Sequence, residues 1–440
     1  MAWEKLTPPQ RRGAFLALIG LSLIWTALII GAARLTGFDE PYLPFAIAGG
    51  LAFFLRGGPS RWEVYAWLLI SVVFVKIIHL PEIPFWVLRV ASGFAALGFA
   101  ALLLLGLRAL WSPPEGRAQA AALLVPSLIL VAFIFITGNA LRFSGRLSPQ
   151  TDDAWLYVFD GSLGFQPSFF VGRAMYTNLV LARSAMLTYL SLPFAMAVVC
   201  AWRIPRAAKR ISWNFLVMLT LAGVAGFLLY HAVPGTGPIY AFGRGFPWHP
   251  LPYKDLAGFP VHEISIPLEI PRNAMPSLHV GWALLLVWNS RSFPRALRAA
   301  LLLYLLLTVV ATLGSGQHYF VDLVVSVPFV LAVAAATCQR LPLRGRRIAT
   351  LLAASVMVAG WLLLVRFGES FALTSRVIPW TLTLATISVS IWLERDLARM
   401  GAANASCLES GAQPAANMQD GRDRQAAPDF LLSRSHKAGS

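Results

Sequence analysis

The chain has 440 residues, 57% of them hydrophobic and only 13% charged, with a formal net charge of +16 and a positive mean hydropathy of +0.66. A soluble protein carries about 25% charged residues, so this composition argues against a soluble globular domain. Apolar runs near twenty residues recur, the length that crosses a hydrocarbon core of about 30 Å, and the expected fold is an all-α polytopic membrane protein with about 12 transmembrane helices.

In chain order, spans are predicted at 14–33, 43–56, 64–80, 86–107, 120–138, 179–201, 213–232, 277–290, 297–315, 318–338, 347–365 and 377–394. An even number puts both termini on one side. Lys and Arg favour cytoplasmic loops, and about two thirds of the 36 fall on the side of the termini, among them Arg203, Arg206, Lys209 and Arg210. Both termini are therefore expected in the cytoplasm of a multi-pass protein of the plasma (inner) membrane. The positive charge reads as a topology signal, helped by attraction to anionic membrane lipids. It is scattered among loops rather than gathered in a stripe, so no nucleic-acid partner is expected.

Four regions follow. Residues 1–118 form an N-terminal four-span region, 119–340 a core with both long extracytoplasmic loops, 341–400 two further spans, and 401–440 a cytoplasmic tail too poor in apolar residues to fold. Cys200, Cys338 and Cys407 have neither Cys-x-x-Cys nor Cys/His spacing, so no disulfide or zinc site is expected.

The first long loop, 139–178, carries Trp155, Leu156, Val158, Phe159 and Leu163 among polar residues, a pattern that predicts a short helix lying in the membrane interface. The second, 233–276, contains "VPGTGPIYAFGRGFPWHPLPYKDLAGF", where Pro and Gly block regular structure and predict an irregular cap.

Of the histidines, His79, His249 and His262 read as ordinary loop or interfacial residues, and His436 lies in the tail. His231, at the end of the seventh span, is a candidate to line a site. His279 and His318 come with local equipment. His279 lies in "MPSLH", where Pro276 and Ser277 read as a helix start and the Ser hydroxyl can cap the helix or bind a ligand. A helix N-terminus favours a phosphate, and Arg272 just upstream can add a bidentate cation. His318 lies in "GSGQHYFVDLV" with Asp322 at i+4 on the same helix face. That carboxylate can take the Nδ1 proton and leave Nε2 free to attack. Gly314 and Gly316 are expected to leave the approach unhindered.

Both histidines open spans that run in the same direction, so one shared pocket is expected. A nucleophilic histidine with an Asp partner, a second histidine as acid or base, and an anion cradle together suit phosphoryl transfer through a phosphohistidine. No carboxylate cluster suits Mg²⁺, so a metal-free reaction without cofactors is expected.

The segments "PSLH" (276–279) and "HYFVD" (318–322) resemble the second and third signatures of the type 2 phosphatidic acid phosphatase superfamily. "DGSLGFQPS" (160–168) and "YHAVPGTGPIYAF" (230–242) are similar to segments of its inositol phosphorylceramide synthase branch. The resemblance covers roughly 120–340. It implies a six-helix catalytic core within the larger bundle, with His318 as nucleophile, Asp322 as its partner, His279 as acid to the leaving group and Ser277 as a phosphate ligand.

The substrate class it implies is a phospholipid or a polyprenyl- or sphingolipid-type phosphate, handled by a phosphotransferase or phosphatase. The Arg that the family places six residues before the nucleophile is Thr312 here. Arg272, Arg142, Arg146 and Arg244 are the candidates to replace it, with Arg272 first. The alternative is a twelve-span transporter without hydrolytic activity. It would place charged groups in broken helices near mid-membrane, whereas here the polar groups collect at one surface.

Overall fold

Helices supply all the regular structure among the described residues of the computed structural model, which are 41–77, 86–253, 266–339 and 341–409. The first expected span, 14–33, lies outside them, as do His79, His262, His436 and the tail beyond 409.

The N-terminal region supplies α1 (Leu43–Ala48), α2 (Gly50–Arg56), α3 (Arg61–Ile77) and α4 (Trp86–Trp111). Then come α5 (Pro114–Leu147), α6 (Asp153–Ser162), α7 (Pro167–Thr177), α8 (Leu179–Leu190), α9 (Leu192–Arg203) and α10 (Asn214–Leu229). A single-turn helix, α11 (Pro238–Ala241), interrupts the second long loop. The remainder is α12 (Leu278–Trp288), α13 (Arg295–Gly314), α14 (Phe320–Thr337), α15 (Arg346–Phe367), the short α16 (Glu369–Thr374) and α17 (Val377–Glu409). The last helix runs nine residues past the boundary drawn at 400.

Among the described residues six helices are long and apolar enough to cross a membrane, or seven if the pair α8 and α9, bent by 55° at Ser191, is one span. The other expected crossings within the described residues fall on shorter helices. α12 has 11 residues, which at about 1.5 Å each cover roughly half of a 30 Å core. Ser277 is its N-cap, at the start expected from the sequence, and the helix ends two residues before the expected 290. The outer faces of α13, α15 and α17 are apolar, with Leu302, Leu303, Leu306, Leu352, Val356 and Leu384 all exposed. Such a surface suits lipid rather than water.

α14 is the central element, almost wholly buried along Val321–Leu331 and packed against α10, α12, α15 and α17. Its residues are Val, Leu, Phe and Ala on every side, the pattern of a helix enclosed by others. α12 packs against α13 and α14, so the two histidine segments begin side by side.

α6 departs from expectation. It is not an amphipathic helix lying at a surface: Leu156, Tyr157, Val158, Phe159 and Leu163 are all buried, as are Asp153 and Asp160. The C-terminal helices cover it. The Trp380 indole donates to the Leu163 carbonyl at 3.1 Å, the Phe159 and Trp361 rings meet edge-to-face at 5.3 Å, and the Arg366 guanidinium sits 5.6 Å from the Trp155 ring. The apolar stripe faces protein, and the polar stripe faces backbone donors. Periodicity alone gives the same pattern for either environment.

Candidate active site

The two histidine segments are tied together by main-chain and hydroxyl bonds. The Ser277 amide donates to the Asp322 carbonyl at 3.2 Å. The Ser326 hydroxyl lies 2.9 Å from the Ser277 carbonyl and 2.7 Å from that of Asp322. Ser277 caps α12, accepting from the Val280 amide at 3.5 Å. This is a long bond, and it leaves the hydroxyl oxygen room for another partner.

His318 is 1% exposed. Its Nδ1 lies 2.8 Å from the Ala274 carbonyl and 3.5 Å from Asp322 Oδ2. A carbonyl can only accept, so Nδ1 carries a proton, and in the neutral ring the lone pair is then on Nε2. The nearer acceptor for Nδ1 is the backbone of Ala274, and the Asp322 carboxylate, expected as the partner, stands behind it. Asp322 Oδ2 also accepts from the Tyr319 amide at 2.7 Å, closing a capping box at the start of α14. Among the described residues Nε2 of His318 has no hydrogen-bond partner. His279 lies at the start of α12, which packs against α14.

Two acidic residues that sequence reasoning missed hold this arrangement. Asp153 and Asp160 stand seven residues apart in α6, two turns along one face. Asp153 accepts from the Thr236 and Gly237 amides, the Thr236 hydroxyl and the Tyr319 hydroxyl, all between 2.9 and 3.1 Å. Asp160 accepts from the Phe320 amide at 2.7 Å and the Val321 amide at 3.1 Å, so it caps α14 from another element. Burial raises the affinity of both carboxyls for a proton, and these amide bonds oppose it. Asp152 next to them is pushed up to about 6 by burial, against the pull of Arg366. The only sequence signal was acid in an otherwise apolar helix, "TDDAWLYVFD".

Gly237 shows why the Gly-rich segment is needed. Its φ is +94°, and a Cβ there would stand 2.4 Å from the Gln317 carbonyl oxygen, so only glycine allows the cap loop to lie on the chain before His318. The Ile239 amide donates to the Gly316 carbonyl at 2.9 Å in the same contact.

Gly314 and Gly316 do not serve open access. A Cβ on Gly314 would meet Met175 Sδ at 2.8 Å, and one on Gly316, where φ is +72°, would meet Phe246 at 2.8 Å. They allow close packing.

Arg272 is placed differently from the cation expected at a phosphate. It is fully buried, and its Nε and both Nη donate to five carbonyls, those of Ser148, Pro267, Ile270, Pro149 and Ile266. A guanidinium has five N–H groups, so none remains for a ligand. It clamps the chain entering α12 to the end of α5. Arg142 and Arg146, on α5, and Arg244, in the cap loop, are exposed.

Thr312 is buried, its hydroxyl bound to the carbonyls of Thr308 and Val309. His231 accompanies Ser148, with Nδ1 2.7 Å from its hydroxyl, and is not bonded to the paired histidines. His249 is an exposed loop residue. No group of three or more His, Cys, Asp or Glu among the described residues is placed to hold a metal ion.

A buried histidine with a fixed Nδ1 proton, a second histidine beside it and a capped helix start between them form the arrangement on which one family comparison bears. Residues 154–336 match the model of the PAP2 superfamily. The match runs from α6 to α14 and so includes both histidines, Asp160, Asp322 and the cap loop. PAP2 proteins are generally phosphatases or phosphotransferases, which supports an enzyme. No curated protein and no solved structure matches the chain.

Proposed function

We propose that this protein is an integral-membrane lipid phosphotransferase or phosphatase working through a phosphohistidine on His318. The observation that carries this reading is the setting of the His318 ring: Nδ1 lies 2.8 Å from the Ala274 carbonyl with the Asp322 carboxylate behind it, and Nε2 has no hydrogen-bond partner among the described residues.

In the first step Nε2 attacks phosphorus, the bond to the leaving oxygen breaks, and His279 gives that oxygen its proton. Asp322 stabilises the positive charge that develops on the His318 ring. In the second step an acceptor hydroxyl attacks, the P–N bond breaks, and His279 takes the acceptor's proton. Ser277 and the first-turn amides of α12 face the phosphoryl oxygens.

With Arg272 engaged by carbonyls, we assign the cationic contribution to Arg244 or Arg142. Arg244 is favoured because its loop is bonded to residues 316 and 317 just before the nucleophile. The lysine and arginine bias adds the topology: both termini in the cytoplasm, with the site on the opposite face of the plasma membrane and lipid entering between helices. Water as acceptor makes the enzyme a phosphatase, and an inositol-type alcohol makes it a transferase.

The test is turnover by the purified full chain in detergent with EDTA. Phosphatidic acid, a polyprenyl phosphate, a sphingoid phosphate and phosphatidylinositol would be supplied, each with and without free inositol. Phosphate release or head-group exchange on at least one of them is expected. No turnover of any by folded protein would favour the transporter.

A further inference from the structure

His318 is oriented by a hydrogen bond, whereas His279 has none among the described residues. What it has instead is aromatic. The Tyr189 ring lies against it with centroids 3.8 Å apart and planes at 13°, and the Tyr42 ring lies at 5.4 Å and 44°. The two tyrosine rings are themselves 6.1 Å apart, centroid to centroid. Tyr189 is anchored in a small apolar cluster with Phe45, Met175, Ala185, Leu190 and Ala311. Tyr42 leads directly into α1, which packs on α4, α5 and α9.

A near-parallel stack fixes the plane of an imidazole while leaving both ring nitrogens, which lie in that plane, uncovered. We propose that Tyr42 and Tyr189 are positioning residues that hold the otherwise unbonded His279 ring in register with the leaving oxygen. This rests on the phosphohistidine reading above and adds two residues to it. It also gives the N-terminal region a part in the chemistry, because Tyr42 lies well outside the matched segment 154–336. Orientation of an acid matters to the rate because a proton must reach the leaving oxygen as its bond to phosphorus breaks, and a misplacement of about 1 Å costs on the order of 100-fold.

The test uses a leaving group that needs an acid and one that does not. The full chain would be assayed on phosphatidic acid, which expels an alkoxide, and on para-nitrophenyl phosphate, which expels a stabilised phenolate. The variants are Tyr189→Leu, Tyr42→Leu, Tyr189→Phe and Tyr42→Phe, with His279→Ala as reference. The losses are read as the first-turnover rate of leaving-group release, because His279 also serves as base in the later step common to both substrates: the leucine variants are expected to lose about 10- to 100-fold on phosphatidic acid and less than about threefold on the aryl ester. Phenylalanine, which keeps the ring face, restores most of the lost rate.

Equal losses on both substrates, or no loss on either, would overturn the proposal. If His279→Ala itself loses equally on both substrates, the acid role of His279 falls and this inference with it. Selectivity in His279→Ala that the leucine variants do not share removes the inference alone.

Discussion

Replacing His318 by asparagine is expected to abolish turnover and leave the fold in place. The residue is buried, and Nδ1 is bonded to the Ala274 carbonyl at 2.8 Å. An alanine there would strand that carbonyl, a loss of about 1–3 kcal/mol, and would confuse folding with chemistry. The asparagine amide nitrogen can reach the same carbonyl, so the contact between the segments before α12 and α14 survives. Nothing replaces Nε2, and kcat is expected to fall by at least about 10⁴-fold on every lipid the wild type accepts. Thermal unfolding in detergent run beside the assay checks the second half of the statement. A stable asparagine variant that still turns over substrate would remove the nucleophile assignment.

Arg272 carries the second large effect, on stability. Arg272→Met leaves five carbonyl oxygens without their donor, and that of the buried Ile266 is the least able to find water. The expected loss is about 2–4 kcal/mol, seen as a lower unfolding temperature and poor recovery of monodisperse protein. Arg272→Lys decides what the residue is for. An ammonium offers three donors on one point and cannot fan across five carbonyls from two chain segments. Lysine is therefore expected to destabilise nearly as much as methionine. If Arg272 were a phosphate ligand, lysine would keep the fold and raise KM only.

How much of this was readable beforehand divides along chemical lines. The pairing of "PSLH" with "HYFVD" was legible because each segment concentrates polar groups at the start of an apolar helix, where burial is costly without a purpose. The partners of those groups were not. The acceptor of the His318 proton is a backbone carbonyl, which every residue has, so no side chain announces it. The bonds of Asp153 to residues 236, 237 and 319 and of Asp160 to 320 and 321 span long sequence separations. They become visible only once α6 is known to be buried.

Arg272 failed in the opposite sense. A lone cation before a phosphate-ready helix start invites the role of ligand, and only the geometry shows its donors already used. Breaks within the apolar runs were hidden for the same kind of reason. Hydropathy continues across the bend at Ser191, while helix geometry does not.

The central claim is a covalent phosphoryl group on His318. It is tested most directly with His279→Ala and labelled para-nitrophenyl phosphate, because a good leaving group lets the first step proceed while the missing base delays the second. Quenched in alkali and digested, the protein is predicted to carry an acid-labile, base-stable label on the peptide containing His318, formed with a burst of nitrophenol. Release of nitrophenol with no label on that peptide, or with label on another residue, would contradict the account.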